Sequence, residues 1–309
     1  MRRSFHEVGL DQMDEMLTEQ VDPRYGEIDA ASVDELANLM NEADATVPAA
    51  VRAAMNQIVP AIEAVTDRLA RGGRLFYVGA GTAGRIGVLD ASECVPTFNT
   101  PPDLVQGVIA GGPDAMLNAT EGAEDDIDAG SQVIADHDVT EADAVVGIAA
   151  SGRTPYVLAA VRAARLRGAL TVSLSCNLAT PLSDEAEYPI EVPVGPEVLA
   201  GSTRLKAGTA QKLVLNMMST IAMVRLGKTY GNLMVDLRAS NTKLRERAVR
   251  IVQTVTGADR DRAEAALQQA GLDVKLAILI VGLDLDVDEA QRRLNAAHGR
   301  LRVALEADS

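Results

Sequence analysis

Two short runs of small and hydroxyl-bearing residues carry the groups best suited to gripping an anion. In LFYVGAGTAGRIG, residues 75–87, Gly79, Gly81 and Gly84 fall at the spacing G-x-G-x-x-G, after the apolar run Leu75 to Val78 and ahead of a predicted helix. That formally satisfies the dinucleotide fingerprint. In DAVVGIAASGRTPY, residues 143–156, Ser151 and Thr154 supply hydroxyls, Gly152 permits close backbone approach, and Pro155 suits the first position of a helix. A helix starting there aims its free amides at whatever lies in front of it. Taken alone, Ser151 and Thr154 serve equally well as helix caps.

A dinucleotide site also needs an acidic residue at the end of the next strand, about twenty residues on, to hold the ribose hydroxyls. Here that strand, LVQGVIAGG, ends in Gly111 and Gly112. Two strand-to-helix loops at the carboxyl ends of neighbouring parallel strands suit one compact anion instead, and a monophosphate fits better than a dinucleotide.

The loops need a sheet behind them. From residue 74, short β-favouring runs (RLFYVGA, LVQGVIAGG, DAVVGIAAS, LTVSLSC, EYPIEVPVG) alternate with Ala-rich helical stretches, which predicts a parallel sheet covered on both faces, an α/β sandwich. Residues 32–71 read as helical with Ser32 as N-cap, and Gly201 to Gly227 as one long helix buried on more than one side. Beyond 245 the chain is Ala-rich and charged, with Gly257, Gly271, Gly282 and Gly299 expected to cut it into short helices. The expected division is an N-terminal helical arm over 1–60, a binding domain over 61–245 and a small helical domain over 246–309.

Composition narrows the function. The chain has 309 residues, a net charge of −15, 3% aromatic residues and no Trp. Such a surface repels phosphate backbones and anionic membranes and lacks stacking platforms, so neither nucleic acid nor membrane is expected as a partner. No apolar run reaches membrane-spanning length, and the acidic N-terminal stretch does not read as a signal peptide, so a cytoplasmic protein is expected. Cys94, Cys176, His6, His137 and His298 show no disulfide or metal spacing, and no metal is expected.

The segments GAGTAGRIGVLDASECVPTF, VIAGG, EGAEDD, GIAASGRTPYVLAAV, GSTRLKAGTAQKLVLNMMST and GNLMVDLRASNTKL occur in that order. Together they resemble the N-acetylmuramic acid 6-phosphate etherase family, built on the sugar-isomerase (SIS) domain, over roughly residues 15 to 300. The resemblance implies a three-layer α/β/α sandwich and loss of D-lactate from C3 of a phosphorylated amino sugar, in cell-wall sugar recycling, with no cofactor. It implies Glu93 as proton donor and Glu124 as the second catalytic carboxylate. Glu121, Asp125 and Asp126 stand in the same acidic run, and only the motif register selects Glu124. The implied substrate contacts are Gly81, Thr82, Ala83, Ser151, Gly152, Thr154, Ser202, Thr203 and Lys206, in a homodimer whose sites are completed across the interface. Many relatives carry Ser where this chain has Ala83, so one hydroxyl is missing. Lys206 is expected to meet phosphate or the lactate carboxylate, with Arg85 and Arg153 as lesser anion partners. A noncatalytic sugar-phosphate sensor or an aldose–ketose isomerase on the same domain are the alternatives; neither needs an acid and a base together.

Overall fold

Strands that are apolar at every position, rather than at alternate ones, must be covered on both faces. The computed structural model of the chain, which describes residues 16–237 and 242–306, realises this in a parallel five-stranded sheet. Residues 1–15 of the expected arm and 238–241 of the GNLMVDLRASNTKL motif lie outside the described residues. The chain forms two compact units, one of residues up to Ala91 with Asp103–Ser219, the other of Ser92–Pro102 with residues from Thr220 onward.

The first unit opens with helices α1 (Val33–Asp44), α2 (Val47–Ala53) and α3 (Met55–Ala70). Ser32 caps α1 in a reciprocal box with Glu35, as its sequence position predicts. The stretch 32–71, expected to be helical, forms three helices, and α1 is parted from α2 because Pro48, at the second position of α2, has no N–H to return to the Asp44 carbonyl and its ring crowds that group. There follow β1 (Leu75–Gly79), α4 (Gly81–Phe98, counted with the second unit from Ser92), β2 (Val105–Ile109), α5 (Ile127–Asp136), β3 (Ala144–Ile148), α6 (Pro155–Leu166), β4 (Leu170–Ser175), α7 (Pro181–Glu185), β5 (Tyr188–Glu191) and α8 (Lys206–Arg225, counted with the second unit from Thr220). The sheet order is β2-β1-β3-β4-β5, and β1, β3 and β4 are buried throughout. Under one face, Phe76, Val78, Ile134, Val145, Val157 and Val161 share a continuous apolar core.

The second unit contains a two-stranded hairpin, β6 (Thr229–Tyr230) and β7 (Leu233–Met234), then α9 (Thr242–Thr256), α10 (Arg260–Gln269), α11 (Val274–Leu283), α12 (Val287–Ala296) and α13 (Leu301–Glu306). The apolar run LAILIVG forms the buried helix α11, and Asp259, Asp273 and Asp286 cap α10, α11 and α12. Gly257 and Gly271 end helices in the left-handed conformation, as expected, whereas past α12 His298 takes that conformation first, at φ 52°, with Gly299 following at 73°. Gly282 ends no helix: it lies inside α11, and Asp284 at φ 55° makes the stop. Short polar Asp tolerates that conformation, which frees the glycine to remain helical.

Candidate active site

In the order β2-β1-β3-β4-β5 the chain reverses direction across the sheet between β1 and β3, the place where open parallel sheets leave a crevice beyond their carboxyl ends. Gly79 ends β1 level with Ile148 at the end of β3, so the loops that follow, at Ala80 and at 149–154, emerge side by side. These are the two loops that sequence spacing singles out.

The first loop is short because strand and helix backbones nearly touch. A Cβ on Gly79 would lie 2.6 Å from the Gly84 nitrogen, and one on Gly84 would lie 2.8 Å from the Gly79 oxygen. The glycine spacing is therefore explained by the strand-to-helix turn itself. The first closing bond of α4 runs from the Gly84 amide to the Ala80 carbonyl at 3.2 Å. The amides of Gly81, Thr82 and Ala83 belong to the turn before it, where a helix has no internal acceptor to offer. Gly81 is exposed, Thr82 half-buried and Ala83 buried.

In the second loop, Gly152 sits at φ 66°, and a Cβ there would lie 2.4 Å from Thr180 Cβ, so only glycine fits. The Ser151 hydroxyl accepts from the Arg153 amide at 3.2 Å. Thr154 occupies the cap position of α6, yet its side chain makes no capping hydrogen bond. The first intrahelical bond of α6 is Leu158 to Thr154, at 3.0 Å. The amides of Tyr156 and Val157, at the positive end of a 12-residue helix, are thus left for an external acceptor.

A third segment comes to the same place. A Cβ on Gly208, in the first turn of α8, would lie 3.4 Å from Thr82 Cγ2, which sets 202–208 against the first loop. The Gly208 amide bonds the Thr203 carbonyl at 2.9 Å, and Ser202 and Thr203 are half-buried. Lys206 is not brought to the loops by its side chain. It is 4% exposed, and Nζ donates to the Val194 carbonyl at 2.7 Å. Its surroundings are a cavity of ≈ 380 Å³ lined also by Arg24, Tyr25, Glu42 and Thr46, and by none of Thr82, Ser151, Gly152 or Thr154. Burial lowers its pKa, with Glu197 opposing.

Glu197, which the sequence reading passed over, is 1% exposed and caps α8, Oε2 accepting from the Lys206 amide at 3.0 Å and Oε1 from the Ala207 amide at 2.9 Å. Burial pushes its pKa up against the pull of those two amides and of Lys206. No spacing rule marks it, since it stands nine residues before the helix it caps. Arg85, an expected anion partner, is a strut: Nε donates to the Met116 carbonyl at 3.2 Å and Nη2 to the Asn118 carbonyl at 3.1 Å, holding the loop after β2 on α4.

That loop leads to Glu124, exposed on the short turn Ala123–Asp125, which is seated by Ala123 packing on the core around Tyr156. In the same acidic run, Asp126 is spent as the cap of α5, accepting from the Ala129 amide at 2.8 Å. Glu93 is exposed on α4, in the stretch Ser92–Pro102 that belongs to the second unit. Among the described residues no group of three or more His, Cys, Asp or Glu is placed to hold a metal ion, and no helix is long and apolar enough to cross a membrane.

The comparisons with known proteins agree with this architecture. Residues 57–165 match the glucokinase regulatory protein N-terminal SIS domain, 127–221 the SIS domain, and 231–277 the C-terminal lid domain of glucokinase regulatory protein. The chain is 57% identical over 296 residues to an N-acetylmuramic acid 6-phosphate etherase of Streptomyces avermitilis, covering 96% of this chain and 95% of that one. It is 58% identical over 295 residues to the protein of that name from Rubrobacter xylanophilus (96% and 97% covered) and 52% over 290 residues to that of Serratia proteamaculans (94% and 98%). A phosphoheptose isomerase from Francisella tularensis superposes with a TM-score of 0.50 at 19% identity, over 63% of this chain and 99% of that one, a likeness of fold.

Proposed function

We propose that this chain, which belongs to the N-acetylmuramic acid 6-phosphate etherase family, is itself a carbon–oxygen lyase that converts N-acetylmuramic acid 6-phosphate to N-acetylglucosamine 6-phosphate and D-lactate. The observation that carries the reading is the pair of loops at the β1/β3 reversal, with the uncapped start of α6 facing the crevice. There the phosphate accepts from the Thr82, Ser151 and Thr154 hydroxyls and from the amides of Gly81, Ala83, Tyr156 and Val157, while Gly152, whose own amide is bonded to the Ala149 carbonyl, lets the backbone come close, and Ser202 and Thr203 lie beside the sugar. Lys206, whose amine is bonded to Val194 and whose amide is bonded to Glu197, serves this site by fixing the start of α8.

The chemistry follows from the substrate. An ether on C3 is not activated for direct hydrolysis, but opening the sugar ring puts an aldehyde at C1 and acidifies the hydrogen on C2. Glu124 takes that proton. The C2–H pair becomes the C2=C3 bond, the C3–O bond breaks, and Glu93 protonates the departing lactate oxygen. Water then adds its oxygen to C3 while C2 regains a proton, leaving the C3 hydroxyl of the product. The two carboxyls need unlike surroundings, one kept protonated and the other ionised. Both are exposed in the single chain. A second copy of the chain, covering and completing each site in a homodimer, supplies the difference, and apolar Ile221 and Val224 on α8 stand exposed for such a contact. A cytoplasmic location goes with this reading.

The test is incubation with N-acetylmuramic acid 6-phosphate and enzymatic detection of D-lactate. Equimolar D-lactate and N-acetylglucosamine 6-phosphate support the reading; tight binding of the substrate with no lactate released refutes it in favour of a sensor.

A further inference from the structure

Thr18 is fully buried although it stands near the start of the described chain, and its hydrogen bonds run to two distant segments. Its carbonyl accepts from the Gly201 amide at 3.2 Å, next to Ser202 and Thr203. Its amide donates to Asn177 Oδ1 at 3.4 Å, and Asn177 Nδ2 donates to its hydroxyl at 3.0 Å. The other hydrogen on Asn177 Nδ2 goes to the Ala150 carbonyl at 3.0 Å, immediately before Ser151. Asn177 itself is 4% exposed, follows β4, and has its own carbonyl held by the Ser175 hydroxyl at 3.1 Å. All of these residues lie in the first unit.

The chemistry at Asn177 admits one side chain. The Thr18 amide requires an acceptor and the Ala150 carbonyl a donor, the Thr18 hydroxyl accepts the second Nδ2 hydrogen, and a carboxamide alone offers acceptor and donors from one short stem. A carboxylate of the same shape would set its oxygen against the Ala150 carbonyl. The result is a continuous buried path, Gly201–Thr18–Asn177–Ala150, that joins the segment carrying Ser202 and Thr203 to the loop carrying Ser151, Gly152 and Thr154. Buried polar groups so arranged fix geometry because any other arrangement leaves one of them unsatisfied.

We propose that Thr18 and Asn177 are positioning residues for sugar-phosphate binding, holding loop 151–154 and segment 201–203 at the spacing that lets both touch one ligand. The proposal rests on the etherase reading for the ligand and not for its test, which measures binding of the product. The N-terminal segment is by this account part of the binding apparatus, though no atom of Thr18 or Asn177 touches the ligand.

Dissociation constants for N-acetylglucosamine 6-phosphate are measured calorimetrically on the wild-type chain and on Thr18→Ser, Thr18→Val and Asn177→Asp. Thr18→Ser, which keeps the hydroxyl, is expected to bind within twofold of wild type. Thr18→Val and Asn177→Asp each weaken binding about fivefold or more, and the double variant is no weaker than Asn177→Asp alone, since both cut one path. Folded Thr18→Val with wild-type affinity, or strictly multiplicative losses in the double variant, overturns the proposal. Should Thr18→Val fail to fold, amide exchange on the wild-type chain decides: adding the product should slow exchange at Thr18 and Gly201 together with Arg153, and unchanged exchange at Thr18 and Gly201 overturns it. A wild-type chain that binds the product yet releases no D-lactate from the substrate sinks the etherase reading and leaves this one standing.

Discussion

Glu197 and Lys206 are hydrogen-bonded to each other through the backbone and not head to head: the buried carboxylate grips the Lys206 amide, while the Lys206 ammonium donates to Val194. Each is driven toward its neutral form by burial, the carboxyl upward and the amine downward. A raised carboxyl pKa means that the native chain binds the proton more tightly than the unfolded one. Stability then falls as pH rises from the ordinary value of 4.5, and stops falling once the native carboxyl has ionised. Glu197→Gln removes this slope, so the difference in melting temperature between variant and wild type should shift in favour of the variant as pH rises through that window. A pH-independent difference would contradict the burial argument.

Gly152 and Gly112 both have positive φ, at 66° and 71°, but a Cβ on Gly152 strikes Thr180 whereas one on Gly112 meets nothing within 4 Å. Gly152→Ala should therefore cost about 2 to 5 kcal/mol by urea unfolding, combining backbone strain with overpacking. Gly112→Ala should cost only the backbone part, about 1 to 2 kcal/mol.

Glu93→Gln and Glu124→Gln should each lower D-lactate release at least about 100-fold. Both carboxylates are exposed, so unfolding free energies should change by less than about 0.5 kcal/mol. Asp126→Ala is the opposite case: loss of the α5 cap costs about 1 kcal/mol while release continues. Retained turnover in Glu124→Gln alongside lost turnover in Asp126→Ala would move the second carboxylate to Asp126.

The strands β1 and β3 were legible because a strand covered on both faces is apolar at almost every position, as in Leu75–Gly79 and Ala144–Ile148, whereas Leu170–Ser175 alternates apolar Leu170, Val172 and Leu174 with polar Thr171, Ser173 and Ser175 and is legible by its period of two, although all six residues are buried. The hairpin at 229–234 was not, since strands of two residues carry no period to read. The two strand-to-helix loops beside the β1/β3 reversal were legible from glycine and hydroxyl placement, because a sharp strand-to-helix turn restricts residue type locally. Lys206 shows where that logic stops. Its charge at a helix start suggested an anion, but the compensating carboxylate at Glu197 and the carbonyl at Val194 come from a turn whose path only folding determines. Thr18 and Asn177 meet across 159 positions of sequence, and no local pattern distinguishes either from an ordinary polar residue.

The near-collision of Gly79 with Gly84 bears on how such chains are recognised at all. Wherever a helix is docked straight onto the tip of a strand, the main chains forbid side-chain carbon at the same two places, whatever the crevice holds. Genome surveys that count this glycine signature as evidence of redox enzymes will gather sugar-handling proteins with them, and the acidic residue missing after the following strand is the cheaper and better sieve.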